Sequence, residues 1–246
     1  MKGKLFYSAL VAVTVLCFGT TAFAATQVVV NGSTTVLPVA QAAAEAYMKS
    51  RSDVSISISG GGSGNGIKAL IDGTTDIANS SRFLKDKEVQ SAMEKGAYPV
   101  PFRIAMDAIV PIVHPRNPVK DLTIEQLSLI YQGKIRNWKE VGGEDLQIVI
   151  VSRDTSSGTY EVWEEKVLHK AKVTPRAQLQ ASNGAVSQAV SRNRYAIGYI
   201  GFGYLNQDVK ALKVNGIEAT MESALAGVYP VSRPLFMFTR GWPTGA

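Results

Sequence analysis

In the stretch "VSRDTSSGTYEVWEEKVLHK", residues 151–170, Arg153 is followed by Ser156, Ser157, Gly158 and Thr159, and then by an amphipathic pattern. Residues of these types can attack a substrate or donate hydrogen bonds to one. Attack requires a base beside the hydroxyl, and no histidine, cysteine or lysine stands inside the motif. The chain has only two histidines, and neither His114 nor His169 adjoins a hydroxyl motif in sequence. Donation needs no base. Serine and threonine hydroxyls together with an arginine fork suit an oxyanion, provided the backbone places them together.

Other chemistries fail on spacing. Gly61 and Gly66 are spaced as in a phosphate-cradling G-x-x-x-x-G-K-[ST] loop, but Ile67 precedes Lys68 and no hydroxyl follows it. A nucleophile elbow needs a second glycine where "GGSGN" has Asn65. With no paired-histidine spacing and only one cysteine, Cys17, no metal site is indicated and no cofactor is expected.

The elements that must position these residues share one plan. "TQVVV" leads through "NGSTT" into "VLPVAQAAAEAYMKS", and "VSISIS" leads through "GGGSGNG" into "IKALIDG". "LQIVIVS" leads through "RDTSSGT" into "YEVWEEKVLHKA", where Tyr160, Trp163, Val167 and Ala171 share a helical face. Strand, Gly/Ser/Thr turn and helix alternate without a long linker, which predicts an α/β architecture with largely parallel sheet. Each turn opens a helix whose first N–H groups lack intrahelical partners and whose dipole is positive. Each turn could serve only as an N-cap. Three together could form a cage of donors around a small oxyanion. Arg153 could equally pair at the surface with Asp154, Glu161 or Glu164.

Elsewhere the signals are structural. Thr123 and Gln126 form a capping box before the apolar face of Leu127, Ile130 and Tyr131. "AIVPIV" and "YAIGYIGFGYL" read as buried strands, and Trp138, Trp163 and Trp242 as core or lobe-surface aromatics. The N-terminus has a basic start, an apolar run and "AFA" before Ala25, the layout of a cleaved signal peptide over residues 1–24. Leu16 is too large for the small residue that lipid attachment at Cys17 would want. Without Lys2 and Lys4 the 26 basic residues become 24, against 20 acidic, a net +4 without runs. Such a surface does not indicate nucleic acid but favours an anionic ligand.

The ordered set of "GSTTVLPVA" (32–40), "GGGSGNGIKAL" (60–70), "DIANSSR" (76–82), "LTIEQLSLIYQGKIRNWKEVGG" (122–143), "RDTSSGT" (153–159), "SNGAVSQAV" (182–190) and "AIGYIGFGYL" (196–205) resembles the periplasmic phosphate-binding proteins of phosphate ABC transporters. The resemblance implies a two-lobed periplasmic-binding-protein fold of type II, with a cleft closing over dehydrated phosphate. Carried over by position, it implies contacts from Thr35 and Val36 with Thr34 adjacent, from Ser63 and Gly64, and from Arg153, Ser157, Gly158 and Thr159, with Arg153 the one arginine. Ser81 stands where a well-known branch of the family has an aspartate accepting the phosphate proton, so discrimination against sulfate must rest elsewhere or be weaker. Asp76 is read as structural, though within possible reach of the site. The chain also stops at "RPLFMFTRGWPTGA", where the family normally continues with a further helix packed on the first lobe, so an exposed apolar patch is expected there.

These readings together predict a non-enzymatic binding protein, exported to the periplasm, that delivers inorganic phosphate to an inner-membrane ABC permease. Lobe 1 is expected over 25–104 plus 229–246 and lobe 2 over 105–228, with a hinge near Ile104–Ala108 and Tyr229. Sulfate, molybdate or tungstate as ligand, or a phosphate sensor or scaffold without transport, are the alternatives.

Overall fold

The computed structural model describes residues 25–244. The expected signal peptide and Cys17 lie outside them. Among the described residues no helix is long and apolar enough to cross a membrane.

The chain opens with β1 (Thr26–Gly32), α1 (Leu37–Ser50), β2 (Val54–Gly60), α2 (Ser63–Asp72), β3 (Ile77–Ser80) and α3 (Asp86–Glu94). The long β4 (Val100–Val113) then leads to β5 (Asp121–Leu122), α4 (Ile124–Tyr131), β6 (Val149–Arg153), α5 (Gly158–Lys166), β7 (Gln178–Gln180), α6 (Asn183–Ser191) and β8 (Ala196–Gly201). After β9 (Lys210–Ala211), β10 (Lys213–Val214) and α7 (Met221–Leu225), β11 (Ser232–Thr239) closes the order. The main sheet runs β2-β1-β3-β11-β4-β8-β6-β7, with β9 on β4, while β10 and β5 pair separately.

Two parallel blocks are joined by a central antiparallel pair. β1 pairs parallel with β2 and β3, and β6 pairs parallel with β7 and β8. Between the blocks, β11 runs antiparallel to β3 and β4, and β4 antiparallel to β8. Along β4 the partner changes at one point: Val100–Ala108 pair with β11, and Ile109–Val113 pair with β8. A strand that switches neighbours in this way belongs to both blocks.

Burial explains why these segments form strands. Ala108–Val113 and Ala196–Gly201 are buried throughout, as expected of strands covered on both faces. The second block holds the larger core, in which Trp163 stacks on Tyr199 with ring centroids 4.4 Å apart and Tyr131 meets both edge-on or tilted. Trp138 is buried there as well, whereas Trp242 lies exposed against Phe102. The Thr123–Gln126 capping box closes with bonds of 2.9 and 3.1 Å.

One helix is shorter than its periodicity suggests. α5 ends at Lys166, and His169 and Lys170 take positive φ angles of 50° and 69°. Ala171 therefore lies beyond the helix and does not share its face. An apolar groove of about 230 Å³ lies between α1 and the strands beneath it, lined by residues including Val28, Val30, Ala44, Ile56, Ile58 and Met237.

Candidate functional site

The carboxyl ends of β1, β2 and β6 feed the three turns singled out in the sequence, the end of β3 leads to Ser81, and ligand crevices of open α/β sheets form at such ends. The structure brings the three turns together. Thr35 and Thr159, 124 residues apart, place their Oγ1 atoms 3.0 Å from each other. The Gly64 amide donates to the Ser156 carbonyl at 2.9 Å. Ser63 and Ser81 lie 3.2 Å apart through their Oγ atoms, and the Ser81 amide donates to Ser63 Oγ at 3.0 Å.

Glycine at two positions makes this approach possible. At Gly158 an added Cβ would come within 2.4 Å of Ser63 Oγ and 2.8 Å of Ser81 Oγ, so the start of α5 rests directly on both hydroxyls. At Gly62, where φ is +95°, a Cβ would meet the Ser156 carbonyl oxygen at 2.7 Å.

Thr34, Thr35, Val36, Ser63, Ser81, Arg153, Ser157 and Thr159 are all buried. N-capping accounts for only one of the turns. Ser157 Oγ accepts from the Tyr160 amide at 3.3 Å, which leaves its proton available. The N-caps of α1 and α2, Val36 and Gly62, make no side-chain cap, in contrast to Thr123, Ser182 and Thr220 on α4, α6 and α7. The first-turn amides of α1 and α2 are thus not consumed by a capping hydroxyl.

Arg153 is 1% exposed at the end of β6. Its Nε and Nη2 donate to the Gln180 and Ala181 carbonyls at 3.0 and 2.9 Å, and its Nη1 is buried without a partner. No carboxylate pairs with it among the described residues, so the surface ion pairs considered for it do not form. Glu161 instead takes Arg82 and Lys85 at 2.6 and 2.7 Å, and Glu164 takes Lys172. Burial pushes the Arg153 guanidinium pKa down, yet a guanidinium stays protonated in proteins. The result is a desolvated cation held by carbonyl dipoles, the setting that favours an anion.

Arg153 is not the single arginine of the site. Arg233, 2% exposed on β11, donates to Thr159 Oγ1 at 3.0 Å and to Thr35 Oγ1 at 3.2 Å. Its Nε and Nη2 also bind Asp107 Oδ2 on β4 at 2.9 and 2.7 Å. Burial pushes the Asp107 carboxyl up and the Arg233 guanidinium down. Each opposes the shift of the other, and at this distance the pair is ionic, so Arg233 brings donors with little net charge. Asn183 at the start of α6 was also missed as an individual residue. Its Nδ2 donates to Thr34 and Thr35 Oγ1 at 3.0 and 3.1 Å. A lone acid in the apolar run "IAMDAIVPIV" was the available signal for Asp107; its partner stands 126 residues away. Tyr204 closes the rim through its hydroxyl on the Thr34 carbonyl at 2.6 Å. Asp76 instead accepts from the Val29 amide within the first block, a structural role.

Across the lip of the cleft, Arg82 is held by Glu88 at 2.7 Å and faces Glu161 of α5. His114 Nδ1 accepts from the Arg116 amide, and His169 is exposed at the end of α5. Among the described residues no cluster of three or more His, Cys, Asp or Glu side chains could hold a metal.

The family model for the PBP superfamily domain matches residues 19–246. A phosphate-binding protein PstS of Staphylococcus epidermidis is 36% identical over 221 residues, covering 85% of this chain and 67% of its own. The chain belongs to the PBP superfamily, in its PstS-type family. The PstS-type protein of Bacillus subtilis is 33% identical over 217 residues, with 88% and 71% covered. Among solved structures, a Clostridium perfringens protein with bound phosphate is 44% identical, with a TM-score of 0.82 over 87% of this chain and 86% of that one. An ABC-type phosphate transport receptor from Vibrio cholerae is 32% identical, with a TM-score of 0.71 and 88% of both chains covered. The two-lobed type II fold with a cleft between lobes is that of these PstS-type relatives.

Proposed function

We propose that the protein binds inorganic phosphate in the cleft between its lobes, outside the cytoplasmic membrane, and delivers it to an inner-membrane ABC permease. The observation that carries this reading is Arg153: a buried guanidinium without a carboxylate, beside three turns that converge with their hydroxyls and helix-end amides. Phosphate would exchange its hydration for these fixed donors, which lose little entropy because the helices already hold them. Contacts are assigned to Thr34, Thr35, Val36, Ser63, Gly64, Ser81, Arg153, Ser157, Gly158 and Thr159. Relatives named for phosphate binding and phosphate transport support the reading, and so does the mild positive charge.

No covalent step is required, since the hydroxyls serve as donors and neither histidine stands at the cage. The lobes are assigned to 25–104 plus 229–246 and to 105–228, and the hinge to the stretch where β4 exchanges β11 for β8. Calorimetry on ligand-stripped protein tests the function. Strong one-to-one phosphate binding with much weaker sulfate binding is expected. Equal affinity would make the cage a general oxyanion site, an outcome that Ser81 in place of a carboxylate makes worth measuring. Absence of phosphate binding would overturn the proposal.

A further inference from the structure

We propose that Arg233 and Asn183 act as positioning residues that fix a relay from the Thr35 hydroxyl to the Thr159 hydroxyl, leaving the Thr159 proton to donate toward the cleft. A hydroxyl has one proton and two lone pairs. Thr35 Oγ1 receives Asn183 Nδ2 at 3.1 Å and Arg233 Nη2 at 3.2 Å, so both lone pairs are engaged and its proton must point outward. In this structure that proton goes to Thr159 Oγ1, 3.0 Å away. Thr159 Oγ1 also receives Arg233 Nη1 at 3.0 Å, so its own proton is left to donate.

Neither positioning group can reverse the direction. A guanidinium has no acceptor, and Asp107 holds Arg233 in place through Oδ2, while the other Asp107 oxygen accepts from the Phe202 amide at 3.0 Å. The orientation of the Asn183 amide is set at its other end, where Oδ1 accepts from the Gly201 amide at 3.0 Å. The Asp107–Arg233 pair therefore supplies orientation with little net charge.

This has a consequence for ligand chemistry. An oxygen facing Thr159 must be unprotonated, so a proton carried by the ligand has to turn elsewhere. The Ser63–Ser81 corner is the place for it. Whichever of the two hydroxyls donates to the other, Ser81 Oγ keeps at least one of its two lone pairs, because it accepts at most the one bond from Ser63 Oγ. The cage thus suits an oxyanion with several bare oxygens and at most one protonated one, such as the phosphate dianion.

The inference rests on the phosphate-binding reading, and a double-mutant cycle separates the two. Phosphate is titrated to millimolar concentrations into the wild type, Asp107→Asn/Arg233→Met, Thr159→Val and the combined variant. Removing the pair together avoids leaving a buried carboxylate alone. The pair variant is expected to lose about 10-fold to 100-fold in affinity, the range for donors aimed at a charged ligand. In the Thr159→Val background the same change should cost at least about fivefold less, because the group it acts through is already gone. Losses that simply multiply would overturn the inference and indicate a charge or folding role. Asn183→Ala crossed with Thr35→Val gives a second cycle with the same expectation, should the pair variant fail to fold. A wild type that does not bind phosphate would sink the functional reading itself.

Discussion

Replacing Gly158 by alanine should separate folding from binding. An alanine Cβ would sit 2.4 Å from Ser63 Oγ and 2.9 Å from Ser63 Cβ, about 1 Å inside ordinary van der Waals contact. A third close contact is Ser81 Oγ at 2.8 Å, and Ser63 and Ser81 both follow strands of the other parallel block. Gly158 has no positive φ and begins a helix, so its backbone accepts alanine, which should slightly favour the helix. Relieving the overlap requires the two blocks to stand about 1 Å further apart at this point. That would stretch the 2.9 Å bond from Gly64 to Ser156 and the 3.0 Å approach of Thr35 to Thr159 beyond hydrogen-bonding range. Two or three donors lost from the closed state, at about 1 to 1.5 kcal/mol each, amount to about 3 kcal/mol, or roughly a hundredfold in affinity. The assay pairs calorimetric titration with thermal melting, with and without phosphate. Without ligand the variant should melt within a few degrees of the wild type, and the ligand-induced rise in Tm should nearly vanish, since that rise follows ligand concentration over Kd. Gly203→Ala, where a Cβ meets nothing within 4 Å, serves as the control. Phosphate affinity within about threefold of wild type in Gly158→Ala would refute the closed geometry as the binding state.

The remaining predictions concern charge. Arg153→Ala should cost about a hundredfold or more in phosphate affinity, because it removes a buried cation that has no carboxylate partner among the described residues; titration with retained affinity would remove Arg153 from the site. Glu161→Gln should speed phosphate release about threefold to tenfold in stopped-flow, since it cuts the Arg82 and Lys85 contacts across the lip while Glu88 still holds Arg82. An unchanged release rate would show that these contacts do not latch the cleft. For Glu88, burial pushes the carboxyl up, but the Arg82 guanidinium and the Lys85 amide outweigh it and leave the pKa below its ordinary 4.5. Stability from this group is therefore complete above that value and fades as pH falls through the lowered one. Glu88→Gln should flatten the acid limb of a Tm-against-pH curve, and a parallel curve merely shifted downward would contradict the linkage.

Much of the site could be read in the chain because it is built from local units. A strand, a Gly/Ser/Thr turn and a helix are contiguous, so their periodicity and turn chemistry announce a helix after each turn within a single stretch, although α2 and α5 begin at Ser63 and Gly158, inside the stretches that read as turns. The Thr123 capping box and the buried runs of β4 and β8 are legible for the same reason. Arg153 could be singled out by its neighbours, but its freedom from Asp154, Glu161 and Glu164 could not, because Arg82 and Lys85 of the other block take Glu161, Lys172 takes Glu164 and Ser156 takes Asp154. The end of α5 was misjudged at Ala171, since periodicity does not register the positive φ angles at His169 and Lys170. Only the tertiary structure decided which hydroxyls meet and which way their protons point. Arg233, Asp107 and Asn183 lie far apart in sequence and become partners where β11, β4 and α6 converge. Local propensity encodes the donors; long-range packing sets their direction, because a hydroxyl rotates freely until something distant in sequence fills its lone pairs.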